Sequence, residues 1–331
     1  MLPQPEMQRR TRSWSSGLSR AVLGLAGRGL GASLVLLTLA SLVFLSMRLL
    51  PGDMTSLILG EQAGEAERAA LRARLGLDQP LALQYVDFLW GLVRFDLGDS
   101  LARPGTSAFS EVARALGPTS ALAFLAVSLG TVLGVTAAVC AVSPWLGARR
   151  AWVHRGILAV AATPLIALAP LATYLLAVRW QVVPLPGDPE AGFVGLLFAA
   201  GLLGLPLGAQ VARIARAALL EEVHAKFLDV ARAKGGSLFR VWVIHALPPA
   251  SGPIAVVVAA QLGALLGGAV VLERLFERPG LGTLMLNAYA SRDVPVLEAA
   301  VVAAGLLFVV AQSLAGAVQA WLDPRGQGED A

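Results

Sequence analysis

The chain has 331 residues, of which 56% are hydrophobic and only 15% charged, with a mean hydropathy of +0.69. Soluble domains carry about 25% charged residues, so this composition excludes one and specifies a polytopic membrane protein. The net charge of +4 does not point to nucleic acid, because the arginines flank apolar runs instead of clustering with aromatics.

Residues 1–28 are rich in arginine and serine and lack apolar periodicity, which predicts a cytoplasmic tail. Residues 29–50 form the first predicted span: Gly29 to Met47 carries no charge, and roughly 20 residues at about 1.5 Å each cross the ~30 Å hydrocarbon core. The run ends in Arg48-Leu49-Leu50-Pro51-Gly52-Asp53 without a small-residue cleavage site, so it is a permanent span and not a signal peptide. Residues 51–117 then read as an extracytoplasmic helical module, with helices over Ala66 to Leu75 and Leu81 to Val93 around the turn Gly76 to Pro80. Asp78, Asp87, Asp96 and Asp99 suit caps and turns, with no histidine near them for a metal.

Residues 118–322 form a five-helix core. Its charge-free runs are about Thr119 to Val142, Ile157 to Val178, Gly192 to Val211, Pro249 to Leu272 and Ala299 to Ala320. With the arginine-bearing tail inside, alternation puts Arg149, Arg150 and Arg155 inside, and the connection 219–248 inside as well. Together with the arginines that lead into it, that connection is the most basic, through Arg213, Arg216, Lys226, Arg232, Lys234 and Arg240, whereas the longer 51–117 has arginines offset by acids. Both termini are then cytoplasmic, the second being residues 323–331. Trp145, Trp152, Trp180 and Trp321 fall at span ends, where an indole is most at home. Gly130, Gly134, Gly201, Gly204, Gly263, Gly267 and Gly268 suit close helix packing, and Gly130 with Gly134 has small-xxx-small spacing.

The connection 219–248 is polar and structured where its surroundings are apolar. Leu219, Val223, Phe227 and Val230 recur at helical spacing, with Glu221, Glu222, Lys226 and Arg232 on the other sides. Gly235 and Gly236 end that helix, and Ser237 can cap a second in which Leu238, Val241, Trp242 and His245 share a face. Pro248 opens the next span.

This segment resembles the coupling loop of inner-membrane permease subunits of ATP-binding-cassette importers. Asp229, Val230 and Ala231 stand for the family's E-A-A, Gly235 for its glycine, and Leu247-Pro248 for its closing L-P. His245 replaces the general isoleucine. Ala231 to Gly235 (ARAKG) and His245 to Leu247 (HAL) match the dipeptide, oligopeptide and nickel branch, as do RLLPGD, LGLDQPL, FDLGDSL, LERLFERPGLGTLM and SRDVP, so the resemblance covers roughly residues 28 to 325. It implies an all-α, MetI-like type I importer fold in the bacterial inner (plasma) membrane. It also implies a coupling loop with Phe227, Asp229, Ala231, Lys234, Gly235, His245, Leu247 and Pro248 docking on the ATPase. The implied partners are a homologous second permease, two ATPase subunits that bind the ATP, an extracytoplasmic solute-binding protein and membrane lipid, for import of a peptide, nickel chelate, opine or glutathione.

The residues themselves offer no catalytic constellation. His154, His224 and His245 have no metal spacing, the lone Cys140 makes no intrachain disulfide, and Lys226 and Lys234 are each preceded by alanine, so no P-loop exists. The alternative of a secondary transporter or channel calls for an ionisable group at mid-membrane, and the span centres carry none. A membrane-embedded enzyme would need an HExxH or paired-carboxylate signature at a span, and none is present.

Overall fold

A computed structural model describes residues 29–46, 48, 55, 59–60, 63–74, 76–222, 226–237, 239–267 and 269–322. Both terminal tails, most of the Arg48 to Asp53 segment, and Val223, His224 and Leu238 lie outside them. Among the described residues the architecture is helical, with one isolated bridge between Asp99 and Ser107. Helix α1 (Gly29–Ser46) is followed by α2 (Glu65–Arg74) and α3 (Leu81–Arg94), within a residue of the two helices expected for the module. Then come α4 (Ala108–Val142), α5 (Arg150–Ala162) and α6 (Leu165–Thr173), the last continued by a wide π-type turn to Arg179. After α7 (Gly192–Glu222) lie the short α8 (Lys226–Ala233) and α9 (Arg240–Ala246). The chain finishes with α10 (Ser251–Leu266), α11 (Val270–Leu275), α12 (Leu281–Ala290) and α13 (Val294–Leu322).

Four of these helices are long and apolar enough to cross a membrane, and six spans result if each of two bent pairs counts as one. The run expected as a straight third span, Ile157 to Val178, is bent by 101° between α5 and α6. Pro164 is the cause: it disfavours helical backbone at the preceding Thr163, which sits at ψ 119°. The second pair, α9 and α10, is bent by 76° around Pro248 and Pro249. The second span begins at Ala108 and not at Thr119, because α4 runs straight through Gly117-Pro118. Its length of 35 residues, about 50 Å, outruns the hydrocarbon core and carries its first turns into the module. Likewise α7 reaches Glu222, so Leu219 belongs to a span and not to the loop helix.

The frame is the crossing of α4 and α7. A Cβ on Gly208 would stand 2.8 Å from the Gly130 carbonyl, one on Gly204 would stand 2.9 Å from the Ala126 carbonyl, and one on Gly134 would collide with the Gly208 carbonyl. Only glycine lets the two backbones approach so closely. At Gly263 of α10 the fit is tight but less exclusive, a Cβ standing 3.1 Å from Ala311 and 3.4 Å from Phe308 of α13, whereas a Cβ on Gly201 would meet open space, so that glycine is not a packing contact.

At one end, which may be called the module end, buried carboxylates tie distant segments together. Asp293 accepts from the Ser100 hydroxyl and from the amides of Leu101 (3.1 Å) and Ala102 (3.2 Å). Arg48 reaches Glu298 at 2.7 Å and Gln84 at 3.2 Å, and Glu111 accepts from Arg103 and Arg114. Glu273, expected to open an external loop, is 1% exposed and accepts from the Thr119 hydroxyl (2.7 Å) and the Thr283 amide (2.9 Å). The Asp293 bonds join residues 100–102 to the start of α13 and the Glu273 bonds join α4 and α12 to α11, over a core of Ala108, Val112, Leu281, Ala288, Val296 and Ala300.

Candidate coupling surface

At the opposite end, α8 and α9 form a folded unit seated on the ends of the spans. Leu228, Val241, Trp242 and Ala246 pack with Val139 and Val142 of α4, Ala215 and Leu219 of α7, and Ile254 of α10 in one buried cluster. Ala231 and Leu247 lie partly buried at its edge. At about 25 cal/mol per Å² of apolar surface, such burial suffices to hold two helices too short to be stable alone.

The turn between them is built as the glycine pair predicts. Gly235 has φ +78°, and the Gly236 amide donates to the Ala231 carbonyl at 3.1 Å, the long-range bond of a Schellman cap. The Cβ of any residue at 235 would meet empty space, so what excludes other residues there is the left-handed backbone. At Gly236 the reason is different: a Cβ would stand 2.7 Å from the Ala231 carbonyl. The Ser237 hydroxyl accepts from the Arg240 amide at 3.3 Å, capping the second helix.

The remaining expected residues fall on both sides of this unit. Asp229, Lys234, Gly235 and Pro248 are exposed, while Ala231, His245 and Leu247 are half-buried. Phe227 lies in α8, but its side chain is outside the described residues. Trp242, expected to share a face with Val241 and His245, is 2% exposed, and its indole N–H meets no acceptor among the described residues. The inward face of α8 differs from the expected one. Leu228, at 0% exposure, and Ala231 make the seat, whereas Val230 points outward at 53% exposure. Phe239 and Ile244 join Val230 as large apolar side chains presented on the outside of α8 and α9. The outer surface of the unit is thus a mixed one, apolar points beside the Asp229 carboxylate and the Lys234 ammonium.

Sequence reasoning missed Leu228 because two apolar stripes compete in an eight-residue helix, and only the ends of α4 and α7 select between them. It also missed the buried acids of the module end. The one signal available was complementary: Arg48 and Glu298 both stand at the margin of an apolar run, where an unpaired charge would be costly.

Residues 130–327 match the family described as binding-protein-dependent transport system inner membrane component, and residues 23–105 match the N-terminal part of binding-protein-dependent transport system membrane components. A putative peptide transport system permease protein of Brucella abortus is 34% identical over 307 residues, covering 88% of this chain and 94% of the relative. A glutathione transport system permease protein of Salmonella choleraesuis is 32% identical over 309 residues, covering 90% and 96%. Among solved structures, an inward-facing MetNI methionine ABC transporter chain aligns with a TM-score of 0.52 at 17% identity, over 64% of this chain and 96% of that one, a likeness of fold.

Proposed function

The chain belongs to the family of inner membrane components of binding-protein-dependent transport systems, and on that premise we propose how this permease subunit of an ATP-binding-cassette importer is driven and placed. It lies in the bacterial inner membrane with both termini cytoplasmic. The chain catalyses nothing itself, and ATP is bound and hydrolysed by two separate ATPase subunits. A homologous permease supplies the other half of the path. The solute is a peptide or a small peptide-like molecule, by analogy with relatives named for peptides and for glutathione.

The unit α8–α9 is the coupling surface, with Phe227, Asp229, Ala231, Lys234, Gly235, His245, Leu247 and Pro248 as the residues that form or aim it. The observation that carries this reading is the left-handed Gly235 between two short helices anchored through Leu228, Val241 and Trp242. A seated, sharply turned pair transmits a push to α4, α7 and α10, which a loose loop cannot do. Gly235→Val forces a β-branched residue into positive φ and misaims the pair. The variant is expected to insert normally, while ATPase subunits no longer co-purify or their hydrolysis ignores loaded binding protein. Assembly and transport at the wild-type rate would sink the reading.

The module 51–117 and the segment 273–298 form the landing face for the solute-binding protein, the five-helix core 118–322 carries the path, and the loop faces the cytoplasm. The buried bonds from Asp293 to residues 100–102 support a single continuous face. A reporter after Lys234 should read inside, and crosslinkers at Arg103 and Ser291 should both capture the binding protein. An outside reading, or capture only from the Arg179 to Glu190 loop, contradicts this placement.

A further inference from the structure

Among the described residues the spans hold a polar pair that neither end of the molecule uses. Gln261 of α10 is 7% exposed, and its Nε2 donates to the Leu207 carbonyl (3.3 Å) and to Oε1 of Gln210 (3.1 Å) in α7. Its own Oε1 is enclosed and meets no donor among the described residues. Turning the carboxamide over would set that oxygen against the Leu207 carbonyl, so this orientation is fixed and the acceptor stays unmet. A buried carboxamide oxygen without a donor, in a segment otherwise free of charge, is costly to keep and asks for a use.

Gln210 is exposed, and on the same face of α7 so are Arg213, Ile214 and Ala217, three, four and seven residues on. Hydrocarbon against this face would leave the amide donors of Gln210 without partners. The other sides of α7 are already taken, by α4 along Gly204 and Gly208 and by α5 at Ala209 and Ala212. We propose that Gln210 and Gln261 form a carboxamide constriction in the translocation path, which opens to exchange hydrogen bonds with an uncharged, amide-bearing stretch of solute such as a peptide backbone. This rests on the permease reading. In the closed arrangement the two carboxamides bond to each other. Parting them frees a Gln261 Nε2 donor and the Gln210 Oε1 acceptor, and brings the unmet Gln261 oxygen within reach of a peptide N–H.

The test uses the complete complex with its ATPase and permease partners in vesicles, on a Cys140→Ala background. Gln210→Cys is labelled with a membrane-impermeant thiol reagent at rest and after vanadate trapping, with Leu34→Cys on the outer side of α1 as the lipid-facing control. Labelling that is fast in one state and slow in the other, while Leu34→Cys stays unlabelled in both, is the expected result. No labelling in either state means that a protein neighbour covers the face and overturns the proposal. Uptake of radiolabelled trialanine supplies the second arm. Gln261→Leu removes the unmet acceptor and one hydrogen bond to solute, so uptake should fall about tenfold, the equivalent of one such bond. Wild-type uptake by Gln261→Leu would also overturn the constriction. If the wild-type complex assembles but moves no trialanine, the peptide reading fails, and the labelling arm still decides where the path runs.

Discussion

The two ends of the molecule are held by opposite kinds of bond. At the module end, Asp293, Glu273 and Glu111 are buried acids that each accept two or more directed hydrogen bonds or ion pairs, and Glu298 accepts one from Arg48. At the loop end, the buried cluster that seats α8 and α9 is apolar: Leu228, Val241, Trp242 and Ala246 against the ends of α4, α7 and α10. A carboxylate that accepts from two amides and a hydroxyl tolerates one geometry, whereas aliphatic surfaces can slide over one another and remain buried. The difference suits the proposed roles, a landing face that keeps its shape and a coupling unit that shifts without coming apart.

The largest effect is expected where the directed bonds are. Arg48→Met leaves Glu298 buried without its ion pair, 6% exposed at the side chain, and should cost about 3–5 kcal/mol. Adding Glu298→Leu removes the orphan charge, so the double variant should recover most of the loss in a detergent melting experiment. Equal melting temperatures for the single and double variants would mean that the pair is not what holds α1 to α13.

A smaller pair of effects separates seat from surface in the loop. Leu228→Ala empties a fully buried site and should cost about 2–3 kcal/mol, at the lower end for a core leucine because the short helix can settle into the gap. Val230→Ser, two residues on and exposed, should change stability by no more than about 0.5 kcal/mol while weakening capture of the ATPase subunits. Thermal melts and pull-downs on the same preparations give both readouts. If Val230→Ser destabilises more than Leu228→Ala, the assignment of inward and outward faces is reversed.

How much of this was legible beforehand depends on how far apart the interacting residues lie. The membrane class, the number of apolar runs, the helices of the module and the Gly235 turn are properties of hydropathy and of a few neighbouring residues, and those were readable. Arg48 and Glu298 lie 250 residues apart, Ser100 and Asp293 193 apart, and Gln210 and Gln261 51 apart, with nothing local to pair them.

The sequence by itself determined the chemistry available at each point along the chain: which stretches dissolve in lipid, where a left-handed turn needs glycine, and which motifs mark an importer permease. Only the tertiary structure decided that α4 runs through Pro118, that Pro164 folds one apolar run back by 101°, and that Leu228 rather than Val230 faces the spans. A proline permits a helix or breaks it according to what receives the freed carbonyl, and a short helix with two apolar stripes buries whichever one its neighbours meet. Both choices are made by residues dozens of positions away, so they exist only once the chain has packed.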